Sequence, residues 1–154
     1  MSVQHGDEAR ETADHYQKQS ISLLRHYHEH EPRADDPNYP LFEQVRERLK
    51  RQGLLKCSIN NADCAGGPQL HHTHVEFAYQ NAVDVSGLNQ LLGLHLTDAD
   101  FAQWVESPGN LEVLCESHHV GMLGIHMVPS ADWDVVRVHK PGFMPVQVQK
   151  SSEP

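Results

Sequence analysis

The chain has 154 residues, 38% of them apolar, and a formal net charge of −9 with histidine counted as neutral. This length suits one domain with a modest core, and the absence of any run of about eighteen apolar residues predicts no membrane-spanning helix and no membrane partner. The acidic charge argues against a protein that holds nucleic acid through its overall charge.

The N-terminal sequence MSVQHGDEARETADHY is polar and has no apolar signal-peptide region. We therefore expect a cytoplasmic protein. Three cysteines cannot form a closed disulfide framework, and an odd number in a reducing compartment suits free thiols or metal ligands.

Two helices are predicted in the first third of the chain, over residues 7–30 and about 40–52. The first has an apolar stripe at helical spacing that includes Tyr16 and Leu24. The second helix and the residues just after it carry five basic side chains: Arg46, Arg48, Lys50, Arg51 and Lys56.

We divide the chain into a helical N-terminal extension over residues 1–52, a main domain over 53–140 and a C-terminal tail over 141–154. The last few residues of the tail are expected to be disordered. In the main domain, alternating apolar residues predict a strand over 69–79. A short helix is predicted next, over 84–92.

A second helix is predicted over residues 97–106, where Thr97 suits the N-cap position. A short strand over 111–114 leads into a helix or tight turn that begins at Cys115, and a late strand is predicted over 134–139. This mixture of short strands and separate helices indicates an α+β fold.

Four sulfur and nitrogen donors fall in two pairs along the chain. Cys57 and Cys64 are separated by six residues, and Cys115 and His118 by two. Such pairs are typical of a closed tetrahedral site, so the spacing predicts a structural Zn²⁺ bound by three thiolates and one imidazole. The wide first spacing requires a bulging loop. The alternative is that Cys57 and Cys64 are ordinary small buried residues.

A second group consists of His71, His72, Asn110 and His119. Adjacent strand residues point to opposite faces, so near a strand end His71 could bind a cation while His72 turns toward a substrate. His119 directly follows the second zinc pair and would supply another ligand. Metal-dependent cleavage of a phosphodiester needs a base, a residue that orients it and ligands for a cation.

The segments LHHTH, NLEVLC and CESHH, in this order, resemble the HNH endonucleases. The resemblance covers residues 57–126 and implies a ββα-metal core stabilised by a structural zinc. The two helices predicted from the sequence pattern precede this core. It implies that His71 and His119 bind a catalytic divalent cation, Mg²⁺, Mn²⁺ or another transition metal. The catalytic pair is then His72, the general base, and Asn110, which holds the histidine-bearing strand. The cysteine and histidine pairs match the zinc knuckles of many members.

The chain departs from the family pattern at three points. The first cysteine pair is widely spaced, helices are inserted between His72 and Asn110, and VGMLGIH follows His119 in place of a long basic helix. The third departure makes His126 a candidate metal ligand, across a segment with two glycines. Its alternative role is a hydrogen bond to the backbone or to a substrate phosphate.

The resemblance implies an endonuclease that hydrolyses DNA phosphodiester bonds, with a water molecule activated by His72. Residues 57–139 hold ten acidic residues against one basic residue, Arg137, and a core of this charge would repel DNA. The basic stretch over residues 46–56 could contact the DNA backbone beside the site. A protein partner could also deliver the DNA.

Two other functions fit parts of the sequence. A non-catalytic, zinc-stabilised HNH fold that binds DNA or protein would explain the acidic core. His72, His74 and Glu76 also alternate as metal ligands do on strands of cupins and of metallo-hydrolases with a His-x-His-x-acid pattern. Neither the cupins nor these metallo-hydrolases would explain the cysteine pairs together with Asn110.

Overall fold

The computed structural model of the protein describes residues 13–20 and 22–147. Its fold is α+β, with short helices around one two-stranded sheet. The helices and strands are α1 (Tyr39–Arg51), β1 (Pro68–His72), α2 (Val85–Leu92), α3 (Asp98–Val105), β2 (Leu111–Cys115), α4 (Glu116–His119) and α5 (Ser130–Arg137). Short 3-10 turns cover Arg33–Asp35, Phe77–Ala82 and Pro108–Asn110. Within the described ranges, every helix is too short or too polar to span a lipid bilayer.

The pairing of the two strands decides which side chains share a face of the sheet. β1 and β2 are antiparallel, with Leu70 opposite Val113 and His71 opposite Glu112. Side chains alternate across a strand, so Leu70 points to one face while Gln69 and His71 point to the other. The sheet therefore sends the two adjacent histidines at the end of β1 to different faces.

Two small hydrophobic cores cover the two faces of the sheet. On one face, Val45 of α1 packs with Leu70 and Val113. On the other, the fully buried Leu114 packs with Trp133 of α5. The second predicted helix is thus confirmed as α1, and it packs directly on the sheet of the main domain.

A third core holds the two helices that lie between the strands in sequence. Val75 packs with Phe101 and Val105 of α3. A reciprocal capping box starts this helix, because the Thr97 hydroxyl accepts a hydrogen bond from the Asp100 N–H and the Asp100 carboxylate accepts one from the Thr97 N–H. Both helices predicted for this insertion are confirmed.

The helix predicted over residues 7–30 is wrong for the described part of this segment, which has no regular secondary structure. Residues 1–12 and 21 lie outside the described part. Two side chains of the predicted stripe are almost fully exposed, Tyr16 at 92% and Leu24 at 100%. An isolated helix is marginal in water, and without a packing surface for its apolar stripe this one gains no tertiary stabilisation.

The strand predicted over residues 69–79 ends at His72. Beyond it, the side-chain amide of Asn110 bonds to the backbone N–H and C=O of Val75, which therefore need no third strand. Val75 and Phe77 are buried, as an alternating pattern predicts. Phe77, however, begins a 3-10 turn, so the alternation reflects separate contacts rather than a continuing strand.

The late strand predicted over residues 134–139 is also wrong, because helix α5 covers most of this segment. Pro129 provides the N-cap, and its carbonyl accepts the N–H of Trp133. Trp133 and Val136, three residues apart on the helix, are both buried in the core around Leu114. Helical burial of this pair prevailed over the β propensity of the valines.

Part of the predicted C-terminal tail packs on the domain. Val146 contacts the core that contains Leu114 and Trp133. Residues 148–154, the end for which disorder is predicted, lie outside the described part of the chain.

Candidate metal centres

Three thiols and one imidazole meet where the loop after α1 passes the start of α4. Nδ1 of His118 lies 3.7 Å from Sγ of Cys57, 3.6 Å from that of Cys64 and 3.2 Å from that of Cys115. All four donor atoms lie within 4.8 Å of one another, so these residues could hold a metal ion. Zinc bond lengths of about 2.3 Å to sulfur and about 2.0 Å to nitrogen give a tetrahedral S···N edge of about 3.6 Å. The donor set therefore fits a tetrahedral ion.

The surroundings of this cysteine cluster bear on the protonation of its ligands. Burial opposes the thiolate of Cys57, but backbone N–H groups, chiefly those of Asn60 and Cys115, outweigh it and lower the pKa of this thiol. Burial raises the pKa of the Cys64 thiol, a penalty that a bound cation would remove. Burial also lowers the pKa of His118, which keeps the imidazole neutral. Thiolates and neutral imidazoles are the forms that bind metals.

A second cluster, the histidine cluster, contains His71, His119 and His126. One nitrogen of each lies within 4.8 Å of the others, and the Nε2 atoms of His119 and His126 are 2.9 Å apart. Burial, reinforced by the neighbouring imidazoles, lowers the pKa of His71 to about 3 and that of His119 to about 4. Both rings are therefore neutral at pH 7, with lone pairs that could bind a cation.

His126 joins the histidine cluster because the chain reverses tightly after α4. The N–H of Ile125 donates to the carbonyl of His118, and the N–H of His126 donates to that of His119. A Cβ at Gly124 would lie 2.6 Å from the carbonyl oxygen of His119, so this approach requires glycine. The six residues between the two histidines therefore form the turn that brings the rings together.

Hydrogen bonding fixes the tautomer of His119 and leaves one nitrogen of His71 unsatisfied. Nδ1 of His119 is 2.7 Å from Oε1 of Gln69, an atom that only accepts hydrogen bonds. Nδ1 therefore carries the proton, and Nε2 presents its lone pair to the cluster. Nδ1 of His71 is buried without a hydrogen-bond partner among the described residues. A buried orphan of this kind is what a bound cation would satisfy.

His72 lies beside this cluster, with its ring stacked on Phe42 of α1 at a centroid distance of 5.7 Å. Its Nε2 is 3.2 Å from the buried carboxylate of Glu106, which Arg33 also binds through two N–H groups at 2.7 and 3.2 Å. Burial opposes ionisation of Glu106, but the hydrogen bonds from His72 and Arg33 outweigh it and lower the pKa of this carboxyl. An ionised Glu106 accepts a hydrogen bond from Nε2–H of His72, which leaves Nδ1 as a hydrogen-bond acceptor.

Asn110 is fully buried and bonds only to the backbone. Its Oδ1 accepts the N–H groups of His74 and Val75 at 2.8 and 3.0 Å. Its Nδ2 donates to the carbonyls of Val75 and Val105, both at 2.9 Å. No polar group of the side chain is left for a substrate. Asn110 therefore positions the segment after β1 against the end of α3.

The five basic residues predicted to contact nucleic acid lie on α1 and in the loop after it. None of them pairs with a carboxylate of the described residues, where the Arg pairs are those of Arg33 and Arg137. Arg48 and Lys56 line an open groove of about 920 Å³ beside the sheet. The other three lie outside the lining of this groove: Arg46, Lys50 and Arg51. The basic residues are thus unpaired, but they belong to neither metal cluster.

Sequence reasoning misses four polar side chains near the histidines: Arg33, Gln69, Glu76 and Glu106. Gln69 precedes His71 by two residues on the same strand face, a spacing that could have indicated it. Arg33 and Glu106 are 73 residues apart, so no local pattern connects them. Glu76 is noticed only as part of the alternating pattern with His72 and His74, which assumes that the strand continues beyond His72.

Replacing Cys115 by Ser should release the metal ion of the cysteine cluster. We expect one tightly held ion in the wild-type chain, and its loss should lower Tm sharply because metal-binding energy at a structural site is largely folding energy. Elemental analysis of dialysed protein and thermal unfolding followed by circular dichroism measure both effects. Glu116→Gln, an exposed neighbour, should keep ion and Tm. A Cys115→Ser protein with full metal content and unchanged Tm would contradict the assignment.

No protein-family model matches the chain, and neither a curated protein nor a solved structure matches it. A function can therefore be assigned only from the chemistry of the two clusters. The cysteine cluster has the donors of a closed metal site. The histidine cluster has three residues that could hold a metal ion, and the neighbouring His72 is hydrogen-bonded to Glu106 through Nε2.

Proposed function

We propose that the protein is a metal-dependent HNH-type endonuclease that hydrolyses DNA phosphodiester bonds. The observation that carries the proposal is His72, with a free Nδ1, beside the cation ligands His71, His119 and His126. Metal-assisted hydrolysis of a phosphodiester needs a general base and a bound cation next to each other. The chain order β1, β2 and α4, with histidines from β1 and α4 in one cluster, supports a ββα-metal core.

In this proposal His72 is the general base and acts through Nδ1. Glu106 accepts a hydrogen bond from Nε2–H and so holds the ring in the tautomer that can deprotonate water. The Phe42 ring and the surrounding burial restrict rotation of His72, whose side chain is only 10% exposed. A divalent cation, when bound by the three histidines, supplies charge stabilisation at the scissile phosphate and the leaving 3′ oxygen.

The cysteine cluster is, in the same proposal, a structural Zn²⁺ site. Three thiolates and one imidazole fill a tetrahedral coordination sphere and leave no open position for a substrate. His118 and His119 are adjacent in α4 and serve different clusters. Zinc bound at His118 therefore also holds His119 in place.

The acidic charge of the main domain is compatible with DNA binding, since part of it is neutralised locally. Glu106 pairs with Arg33, and Glu112 pairs with Arg137 at 2.8 Å. Bound cations add positive charge where a phosphate would lie. The unpaired basic residues of α1 and the following loop then contact the DNA backbone. Because these charges are few, intrinsic affinity is weak, and a protein partner that delivers DNA suits such an enzyme.

His72→Ala should lower the rate of plasmid nicking by about 10²–10⁴-fold, the usual contribution of general-base catalysis. The assay follows conversion of supercoiled plasmid with Mg²⁺ or Mn²⁺, and EDTA should block it. His95→Ala is a matched control, because His95 is exposed and lies outside both metal clusters and outside the groove lined by Arg48 and Lys56. That variant should nick at nearly the wild-type rate, and both variants should keep the metal ion of the cysteine cluster.

Two results of this assay would contradict the proposal. Nicking by His72→Ala at the wild-type rate would remove His72 from the base role. A wild-type protein that holds zinc tightly but nicks no DNA with any divalent ion would instead favour the non-catalytic, zinc-stabilised binding module.

Glu106→Gln should lower kcat for nicking at least about tenfold, and by up to about 10⁴-fold, the loss seen when an orienting carboxylate becomes an amide in a serine protease. The amide can donate to Nε2 of His72 and so favour the tautomer with a protonated Nδ1. KM for DNA should change little, because Glu106 is buried. Nitrogen NMR of His72 reports the tautomer directly. Wild-type kcat with unchanged His72 resonances would count against this role.

Replacing Arg48 and Lys56 together by Gln should weaken DNA binding and its salt dependence. If each contacts one phosphate, the slope of log K against log[salt] should fall by about 1.8. Fluorescence anisotropy with labelled duplex, on a His72→Ala background that does not cleave, measures this slope at several salt concentrations. The double variant Arg25→Gln/Lys140→Gln removes the same charge from exposed positions elsewhere and should leave the slope unchanged. Equal slopes for both double variants would refute the DNA contact.

A further inference from the structure

Glu76 places a carboxylate between the histidine cluster and His72. Its Oε1 lies 3.9 Å from Nδ1 of His71 and 3.7 Å from Nε2 of His126. Its Oε2 lies 4.0 Å from Nδ1 of His72. One carboxylate thus faces two proposed cation ligands with one oxygen and the proposed base with the other.

None of these contacts is a direct hydrogen bond. Distances of 3.7 to 4.0 Å are too long for one. Nδ1 of His71 is itself buried without a hydrogen-bond partner among the described residues, and it is directed at this carboxylate. A carboxylate oxygen and an imidazole nitrogen without a hydrogen-bond partner, 3.9 Å apart, leave room for a positive ion between them.

The backbone holds Glu76 in this position. The preceding residue, Val75, is fixed by the side chain of Asn110 through both its N–H and its C=O. The carbonyl of Glu76 accepts the N–H of Tyr79 at 2.9 Å, where the 3-10 turn begins. The location of the carboxylate is therefore built into the fold. Its side chain is 40% exposed and free to change rotamer, a movement that coordination requires because Glu76 lies outside the group of three histidines whose nitrogens are within 4.8 Å of one another.

We infer that Glu76 is the fourth protein ligand of the cation held by His71, His119 and His126, an inference that rests on the cation site of the proposed function. Zinc bond lengths of about 2.0–2.2 Å to nitrogen and oxygen give a tetrahedral O···N edge of about 3.4 Å, close to the observed 3.7 and 3.9 Å. The carboxylate also offsets one charge of the ion. Three imidazoles with one carboxylate suit a first-row transition metal better than Mg²⁺, which prefers oxygen ligands and water.

Binding of Mn²⁺ to the full-length chain, with the cysteine cluster loaded with zinc, tests this role without any catalytic readout. The EPR signal of free Mn²⁺ gives Kd for the wild type, Glu76→Gln and His126→Ala. Loss of an outer-shell partner costs about 10–100-fold in metal affinity, so loss of a direct ligand should raise Kd at least about tenfold. Glu47→Gln is the matched control, since this exposed residue of α1 undergoes the same chemical change. It should bind Mn²⁺ like the wild type, and all variants should retain zinc.

The outcomes separate this inference from the proposed function. Wild-type Mn²⁺ affinity in Glu76→Gln, with weakened binding in His126→Ala, would overturn the role of Glu76 and leave the three-histidine site standing. No Mn²⁺ binding by the wild type would overturn both the cation site and the inference. Binding that depends on Glu76 in a protein that nicks no DNA would support the ligand and refute the nuclease.

Discussion

The side-chain amide of Asn110 is the interaction on which the geometry of the histidine site depends. It is fully buried and directs all four of its hydrogen bonds to the backbone, at the segment after β1 and at the end of α3. Three of the four backbone groups it holds belong to the residues directly before Glu76 and Glu106. Each unpaired buried polar group would cost about 1–3 kcal/mol, so this junction is strongly favoured over alternatives. The Asn110 amide thus fixes the backbone that carries the two carboxylates on either side of His72.

Helix α4 connects the two clusters, although it has only one turn. Successive residues of a helix point about 100° apart, so His118 can turn to the cysteines while His119 turns to His71. The tight reversal at Gly124 then returns His126 to the same side. A metal ion at the cysteine cluster would therefore stabilise more than its own ligands, because it fixes the helix and the turn that carry two of the three clustered histidines.

Charge in this protein is arranged locally around the site. The buried carboxylate of Glu106 is compensated by Arg33, whose guanidinium also lies 4.5 Å from the ring centroid of Phe42. Phe42 in turn stacks on His72, so α1 and the segment before it enclose the proposed base. Residues that the sequence places in an N-terminal extension thus complete the site of the main domain. Net charge alone describes this arrangement poorly.

The sequence by itself determined the features that depend on short spacings. The pair Cys115 and His118, the capping box of α3 and the apolar face of α1 are local patterns, and the structure contains all three. The predictions from sequence were wrong where a local preference for helix or strand had no matching packing surface in the folded protein. The helix predicted over residues 7–30 does not form in the described part, where Tyr16 is exposed and has no packing surface. Helix α5 forms in place of the predicted valine-rich strand, because the helix buries its core residues.

Only the tertiary structure decided how the chemical groups combine. The sequence indicated His71, His72 and His119, but the position of His126 depends on a tight turn, and Glu106 reaches its partner across 73 residues. Such contacts are set by packing of distant segments, which no local pattern encodes. The sequence thus supplied the donor atoms, and folding around buried Asn110 decided which of them share a site.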